Sequence, residues 1–263
     1  MTNSSTKSSK TSSKTASKSG EGVRLNRWLA ECGICSRRDA DELIRTGQVR
    51  VNGEVCTDLS QRIVSGKDEV SYGSKSLQRT GEKVYLMLNK PRGYVVTKAD
   101  EFDRQTIYSL LPDSAANLSY AGRLDKNSEG LLLLTNDGEL INGLTHPTHK
   151  IEKVYKVQIN RRLSKNELDA LRNGVRIEGG MTHSAGVYVK SSTETGMILK
   201  VVLTEGRKRQ IRQMVESVGA KVLHLRRLQF GSLLLKDLPL GRWRPLTPAE
   251  VRGLKYLTEK PKV

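Results

Sequence analysis

The sequence predicts an α+β chain with two folded parts, a small helix-helix-hairpin module followed by a larger, strand-rich domain. Three observations carry this. A length of 263 residues is enough for two modest cores. Within the first seventy residues, two stretches of helical periodicity run into an alternating Val49-Arg50-Val51 and the turn pair Asn52-Gly53. Beyond residue 82, short apolar or alternating runs bounded by Gly, Pro, Asn and Asp outnumber the helical patterns.

Composition limits the partners. A net charge of +17 calls for a polyanion, because phosphates and their released counterions reward clustered Lys and Arg. Nucleic acid is favoured over a membrane surface. No run of about eighteen apolar residues exists and the first residues lack the apolar segment of a secretory signal, so a soluble, cytoplasmic protein is expected. Cys32, Cys35 and Cys56 are an odd number and cannot all be paired in disulfides. Cys32-x-x-Cys35 lacks a second pair or a nearby His to complete a zinc site, so the cysteines read as small buried thiols. His146, His149, His183 and His224 are scattered. No metal is expected.

Residues 1–21 are Ser, Thr and Lys with almost nothing apolar and are expected to be a disordered tail. Its lysines, Lys7, Lys10, Lys14 and Lys18, are too few to account for the charge. Residues 22–70 form the first module. Leu25, Trp28, Leu29 and Cys32 recur at helical spacing up to Gly33, then Ser36 offers an N-cap to a helix striped by Ala40, Leu43 and Ile44 and stopped by Gly47. Asn52-Gly53 turns Val49–Val51 back toward Val55. Arg37 and Arg38 lie in the first turn of the second helix, where cations oppose the helix dipole. A docked phosphate would reverse that penalty, so Arg37, Arg38, Arg45 and Arg50 are candidate RNA contacts; the alternative is a solvated basic face.

The stretch from Gly66 to Gly81, rich in Ser, Gly, Lys and Gln, closes this module and begins a linker; residues 71–81 are expected to be that linker, 82–258 the second domain, and 259–263 a tail. Val84–Leu88 and Tyr94–Thr97 are expected strands around the turn Asn89-Lys90-Pro91-Arg92-Gly93. Gly122-Arg123-Leu124-Asp125 precedes Leu131–Leu134, an apolar run short enough for a buried strand. Asp125 beside a core strand is either a turn cap with Asn127 and Ser128 or a chemical group. Glu139–Leu144 suggests a short helix. From Lys153 the chain alternates, putting Lys153, Tyr155, Val157 and Ile159 on one side of a strand. Ser164-x-x-Glu167 is a capping box for a helix carrying Leu168 and Leu171 up to Gly174. Strands follow near Val187–Lys190 and Met197–Leu203.

In Glu205-Gly206-Arg207-Lys208-Arg209-Gln210-Ile211-Arg212-Gln213-Met214, four cations crowd the start of a helix whose apolar stripe is Ile211, Met214, Val215 and Val218. An anion placed there, RNA phosphate or a carboxylate of the protein, would justify them. Val222–Leu228 reads as a core strand, and Thr247-Pro248-Ala249-Glu250 as the start of a final helix.

Two resemblances follow from these motifs. The stretch RLNRWLAECGICSRRDADELIRTGQVRVNGEVC resembles the RNA-binding domain named after ribosomal protein S-four, which implies binding of structured RNA. GRLD with the leucine strand, EKVY at Glu152 to Tyr155, EGRKRQIRQM and LPLGRWRPLTPAEV together resemble bacterial ribosomal RNA pseudouridine synthases of the RsuA/RluB type, from about residue 22 to 257. That resemblance implies a mixed, largely antiparallel sheet crossed by a cleft, with 82–258 as the catalytic domain. It implies Asp125 as the catalytic carboxylate, Tyr155 as the aromatic residue packed on uracil, and Arg212 as the basic partner of Asp125. Arg123 would replace or prop the flipped base, and Leu124, Ile211, Lys90, Arg207 and Arg209 complete the expected substrate-binding set.

The reaction implied is isomerisation of uridine to pseudouridine in ribosomal RNA, 23S preferred over 16S, free or in a pre-ribosomal particle. It needs the base out of the helical stack, and Asp125 would attack the anomeric carbon or remove the neighbouring sugar proton. There is no net redox change, so no cofactor or metal is expected, and the protein is expected to be a monomer. The alternative is a noncatalytic RNA-binding ribosome-assembly factor. A glycosidase would need a second acid facing Asp125, and nothing gives Glu129 or Asp137 that role.

Overall fold

The computed structural model describes residues 22–79, 81–98 and 100–259. The expected tail before residue 22 and all but the first residue of the expected C-terminal tail lie outside them. The chain divides into two compact units, with the boundary between Gly81 and Glu82.

The first unit contains β1 (Val23–Arg24), α1 (Leu25–Glu31), α2 (Arg37–Arg45), β2 (Val49–Val51), β3 (Glu54–Val55), β4 (Arg62–Ile63), β5 (Val70–Tyr72) and β6 (Lys75–Leu77). α1 buries Leu25, Trp28 and Leu29, and α2 buries Ala40 and Ile44. Ser36 and Asp39 cap α2 reciprocally: the Ser36 hydroxyl accepts from the Asp39 N–H at 3.2 Å and the Asp39 carboxylate from the Ser36 N–H at 3.3 Å. Asn52 and Gly53, with φ of +52° and +83°, make the left-handed turn that joins β2 to β3.

The sheet runs β3-β2-β5-β6. The stretch 71–81 is therefore not simply a linker. Its first half forms the β5–β6 hairpin, which pairs with β2 and brings Val70 and Leu77 into the same core as the helices. Only Val70, Tyr72 and Leu77 face inward, and the Ser and Lys between them give the segment the composition of a loop.

The second unit contains β7 (Tyr85–Lys90), β8 (Ser119–Ala121), β9 (Glu129–Thr135), α3 (Gly138–Thr145), β10 (Lys153–Ile159), α4 (Lys165–Asn173), β11 (Arg176–Ile177), β12 (Gly180–Met181), β13 (Gly186–Thr193), β14 (Gly196–Leu203), α5 (Gln210–Ser217), β15 (Val222–Phe230), β16 (Leu233–Leu234), β17 (Trp243–Pro245) and α6 (Pro248–Glu259). Nine of these strands form one sheet, ordered β13-β14-β10-β15-β9-β7-β17, with β16 on β15 and β8 on β9. Every junction is antiparallel except β9 with β15. The sheet is thus mixed and largely antiparallel.

β9 is buried on both faces, which is why four leucines follow one another. Leu132 and Leu134 join Leu86, Leu88, Val157 and Val201 under α4 and α5. Leu131 and Leu133 join Met87 under α3 and α6. At the parallel junction Gly130 lies opposite Arg227 with φ +106°, and a Cβ there would sit 2.2 Å from the Arg227 carbonyl oxygen. Only glycine permits that approach.

Two local expectations change. Tyr94–Thr97 is not a strand, since among the described residues its strand-like pairing is the isolated bridge of Val95 to Thr106. Asn89 and Lys90 extend β7 rather than opening the turn, because they pair with Leu131 and Gly130. The β11–β12 hairpin is an addition that a two-residue strand length left unmarked in the sequence.

Candidate active site

Gly122 to Ser128 forms the loop from β8 to β9, and its backbone is held from several sides. Lys90, at the end of β7, is fully buried and aims its ammonium at that loop: Nζ lies 2.8 Å from the Ser128 carbonyl, 3.1 Å from that of Asp125, 3.3 Å from that of Lys126 and 2.9 Å from that of Pro91. The Gly93 N–H donates to the Lys126 carbonyl at 2.9 Å. Arg212 in α5 donates Nη2 to the Asn127 carbonyl at 2.9 Å and Nη1 to the Val222 carbonyl at 3.4 Å. Four consecutive carbonyls, from Asp125 to Ser128, are thereby occupied. The Asp125 carboxylate itself is half-buried, and among the described residues no hydrogen bond or ion pair engages it.

Two expectations are corrected by this geometry. Lys90 is not a substrate contact; a fully buried ammonium surrounded by backbone carbonyls is already consumed. Arg212 does not pair directly with Asp125 but braces the loop two residues further on. Its charge still acts on Asp125 at longer range. The Arg212 guanidinium is held below its ordinary value by burial and by Arg209, with Asp125 pulling the other way.

Asp125 opens into a cleft of about 1110 Å³ that is also lined by Arg123, Leu124, Tyr155, Ile211, Leu225 and Arg227. Tyr155 enters from β10, paired directly with Val201 and Arg227 and only 9% exposed. Leu124 and Ile211 are buried against it in the same core, and Arg123 is exposed. Arg207 and Arg209 line the cleft too, ahead of α5 rather than within it. Arg207 is already partnered by Glu205 at 3.1 Å, while Arg209 is exposed. The anion expected at this helix start is in part Glu205, which also accepts from Gln210 at 2.6 Å.

Lys153, Arg227 and Phe230 were not singled out by sequence, yet all three line the cleft. Arg227 is 2% exposed, donates Nε to the Leu131 carbonyl at 2.7 Å and holds its guanidinium 5.1 Å from the Phe230 ring centroid. Burial, with Arg227 adding to it, pushes the Lys153 ammonium down to about 8. Lys153 had a signal, its shared side with Tyr155. Arg227 had none, because register shifts in the β10–β15 ladder hide which of Arg226 and Arg227 faces the cleft.

An accessible carboxylate beside aromatic and aliphatic walls, with cations along the cleft, suits a nucleoside: base on Tyr155, sugar against Asp125, phosphates on the basic lining. In the first unit Arg37 and Arg38 are exposed and, among the described residues, carry no ion pair. Arg45 pairs with Glu42, and Arg50 donates to the Gly53 carbonyl at 2.9 Å. Among the described residues no helix is long and apolar enough to cross a membrane, and no group of three His, Cys, Asp or Glu is placed to hold a metal.

Comparison with known proteins gives concordant matches. Residues 84–217 match the RNA pseudouridylate synthase family and residues 23–70 the S4 domain. The chain is 37% identical over 238 residues to ribosomal large subunit pseudouridine synthase B of Bacillus subtilis (strain 168), covering 90% of this chain and 97% of that protein. It is 34% identical to the protein of the same name from Haemophilus influenzae, covering 92% of this chain and 69% of that one. A crystal structure of a pseudouridylate synthase superposes with a TM-score of 0.65 at 33% identity, covering 89% of this chain and all of the other.

Proposed function

The chain belongs to the RNA pseudouridylate synthase family, and from that membership we propose that it isomerises a uridine of large-subunit, 23S ribosomal RNA. The observation that carries the reading is the Asp125 carboxylate, which among the described residues has no hydrogen bond or ion pair and is held by its own backbone at a cleft walled by Tyr155. The names of the Bacillus and Haemophilus relatives support the choice of subunit.

A flipped uridine enters with its base against Tyr155, Leu124 and Ile211. Asp125 begins the reaction at the sugar, by attack on the anomeric carbon or by removal of the neighbouring proton, and the glycosidic bond breaks. The freed uracil turns within the cleft and rejoins the sugar through carbon five, which expels the Asp125 carboxylate from the anomeric carbon or, on the other route, is matched by return of the proton to the neighbouring sugar carbon; the proton on carbon five is then lost and the nitrogen that left the sugar gains one. Lys90 and Arg212 are positioning residues here: they fix the loop so that the carboxylate meets the sugar without first reorganising. Arg123, exposed at the cleft, occupies the place the base vacates in the RNA. The enzyme works as a monomer on this reading, since Asp125, Tyr155 and Arg212 all come from one unit of one chain.

The test is release of the carbon-five hydrogen from uridine-labelled ribosomal RNA. Asp125→Ala should abolish release while keeping RNA affinity within a factor of about two, because the cationic contacts remain. Retained turnover would sink the assignment. Modification maps of both ribosomal RNAs from a deletion strain decide the subunit, with one pseudouridine expected to vanish from the 23S map.

A further inference from the structure

Directly paired residues of a sheet project to the same face, and the next residue along projects to the other. On the cleft side one such row is Val187, Val201, Tyr155 and Arg227. The neighbouring row, on the opposite side, is Tyr188, Lys200, Lys156 and Arg226, each paired with the next across β13, β14, β10 and β15. On this side α3 and α6 pack over β7, β9 and the end of β15 with β16, where Met87, Leu131, Leu133, Phe230 and Leu233 lie. Further out, Tyr188, Lys156 and Gln158 are exposed and Lys200 is half-buried, while Val154 at the start of β10 is buried. Tyr188 is 55% exposed, with the Lys200 ammonium 5.8 Å from its ring centroid.

Three cations in directly opposed positions repel one another, so stability alone would not place them there. Among the described residues none has a carboxylate within ion-pairing distance, and Arg226 Nε is buried without a hydrogen-bond partner. The acids near the row do not answer it. Glu129, paired with Arg226, lies 3.7 Å from His224, and Glu152 sits across a groove of about 490 Å³ that it shares with Tyr188, Lys190 and Lys200.

We propose that this outer face binds a second stretch of RNA, outside the segment that enters the cleft. The linear array of charge takes phosphates, and Tyr188 offers its ring to an unpaired base. The proposal rests on the reading of the chain as an RNA-modifying enzyme and extends it to how the surrounding RNA is held.

The experiment compares the full chain with Lys156→Gln/Lys200→Gln and Lys156→Arg/Lys200→Arg, titrated with a full-length 23S ribosomal RNA transcript over a range of salt. The Gln variant should bind roughly tenfold more weakly at 0.1 M salt and lose between about one and two from the slope of log affinity against log salt. Its pseudouridine yield at saturating RNA should be unchanged and its melting temperature no lower than that of the parent. The Arg variant should restore affinity and slope. Unchanged affinity and slope in the Gln variant overturn the proposal, as does a loss that Arg does not restore and that accompanies a lower melting temperature. If the parent forms no pseudouridine in any ribosomal RNA while the Gln variant still loses slope, the functional reading fails and the RNA-binding face stands.

Discussion

Lys90 and Lys153 show two uses of a lysine removed from water. Burial brings the Lys90 ammonium to about 8 against the opposing pull of Asp125 and Glu129, and its protons are shared among carbonyls of the Asp125 loop. Lys90→Met takes away the ammonium those carbonyls share, leaving Asp125 and Lys126 only their backbone donors, the N–H groups of Ser128 and Gly93, and a loss of about 2–4 kcal/mol in urea unfolding is expected, with a fall in kcat that exceeds any change in RNA affinity. Lys153 is likewise brought to about 8, from an ordinary value of 10.5. Between those limits the unfolded chain holds a proton that the folded one has released. The contribution of Lys153 to stability therefore rises with pH through that window and is lowest below pH 8. Urea midpoints of the parent should gain on those of Lys153→Met between pH 7 and pH 10. A pH-independent gap would refute the burial argument.

At the scale of elements, β9 is the strand that the site hangs on, and its parallel contact with β15 depends on Gly130. In Gly130→Ala the new Cβ would meet the Arg227 backbone at a φ of +106°. A loss of about 3 kcal/mol or more is expected, together with loss of turnover, because the Asp125 loop enters this strand. Ser164→Ala makes a contrast. It removes the α4 cap, where the Ser164 hydroxyl accepts from the Glu167 N–H at 3.3 Å, and should cost about 1 kcal/mol with kcat unchanged, since α4 does not line the cleft. Caps and tight turns such as these are legible from sequence because their chemistry is complete within four residues. The strands at 70–77 and the fate of 94–97 were not, because pairing partners distant in the chain decide them.

Across the whole molecule, the synthase unit is preceded by an S4 domain whose basic and acidic residues balance, so any pull on RNA there rests on where its arginines sit, and Arg37 and Arg38 are exposed. Neutralising Arg37 and Arg38 as Arg37→Gln/Arg38→Gln should weaken binding of long ribosomal RNA and reduce the salt slope by up to about two, while turnover on a short saturating substrate stays intact. An unchanged slope would remove these arginines from the interface. The motifs GRLD, EKVY and EGRKRQIRQM implied one cleft through their joint resemblance to the synthases, while their local signals gave only a strand end or a helix start around each polar group. Their order in the chain did not say how those groups meet.

The sequence by itself determined the two-part organisation, most helices with their caps, the β2–β3 turn and the buried leucine strand, because periodicity, capping and turn chemistry are local; Asp125 and Tyr155 stood out through the resemblance of the motifs around them. Only the tertiary structure decided that Lys90 and Arg212 grip the Asp125 loop through its carbonyls, that Arg227 rather than Arg226 turns toward the cleft, and that Lys156, Lys200 and Arg226 line up on the other face. The Arg212 contact depends on how α5 packs beside the loop and the rest depend on strand register, and both are set by contacts between residues far apart in the chain.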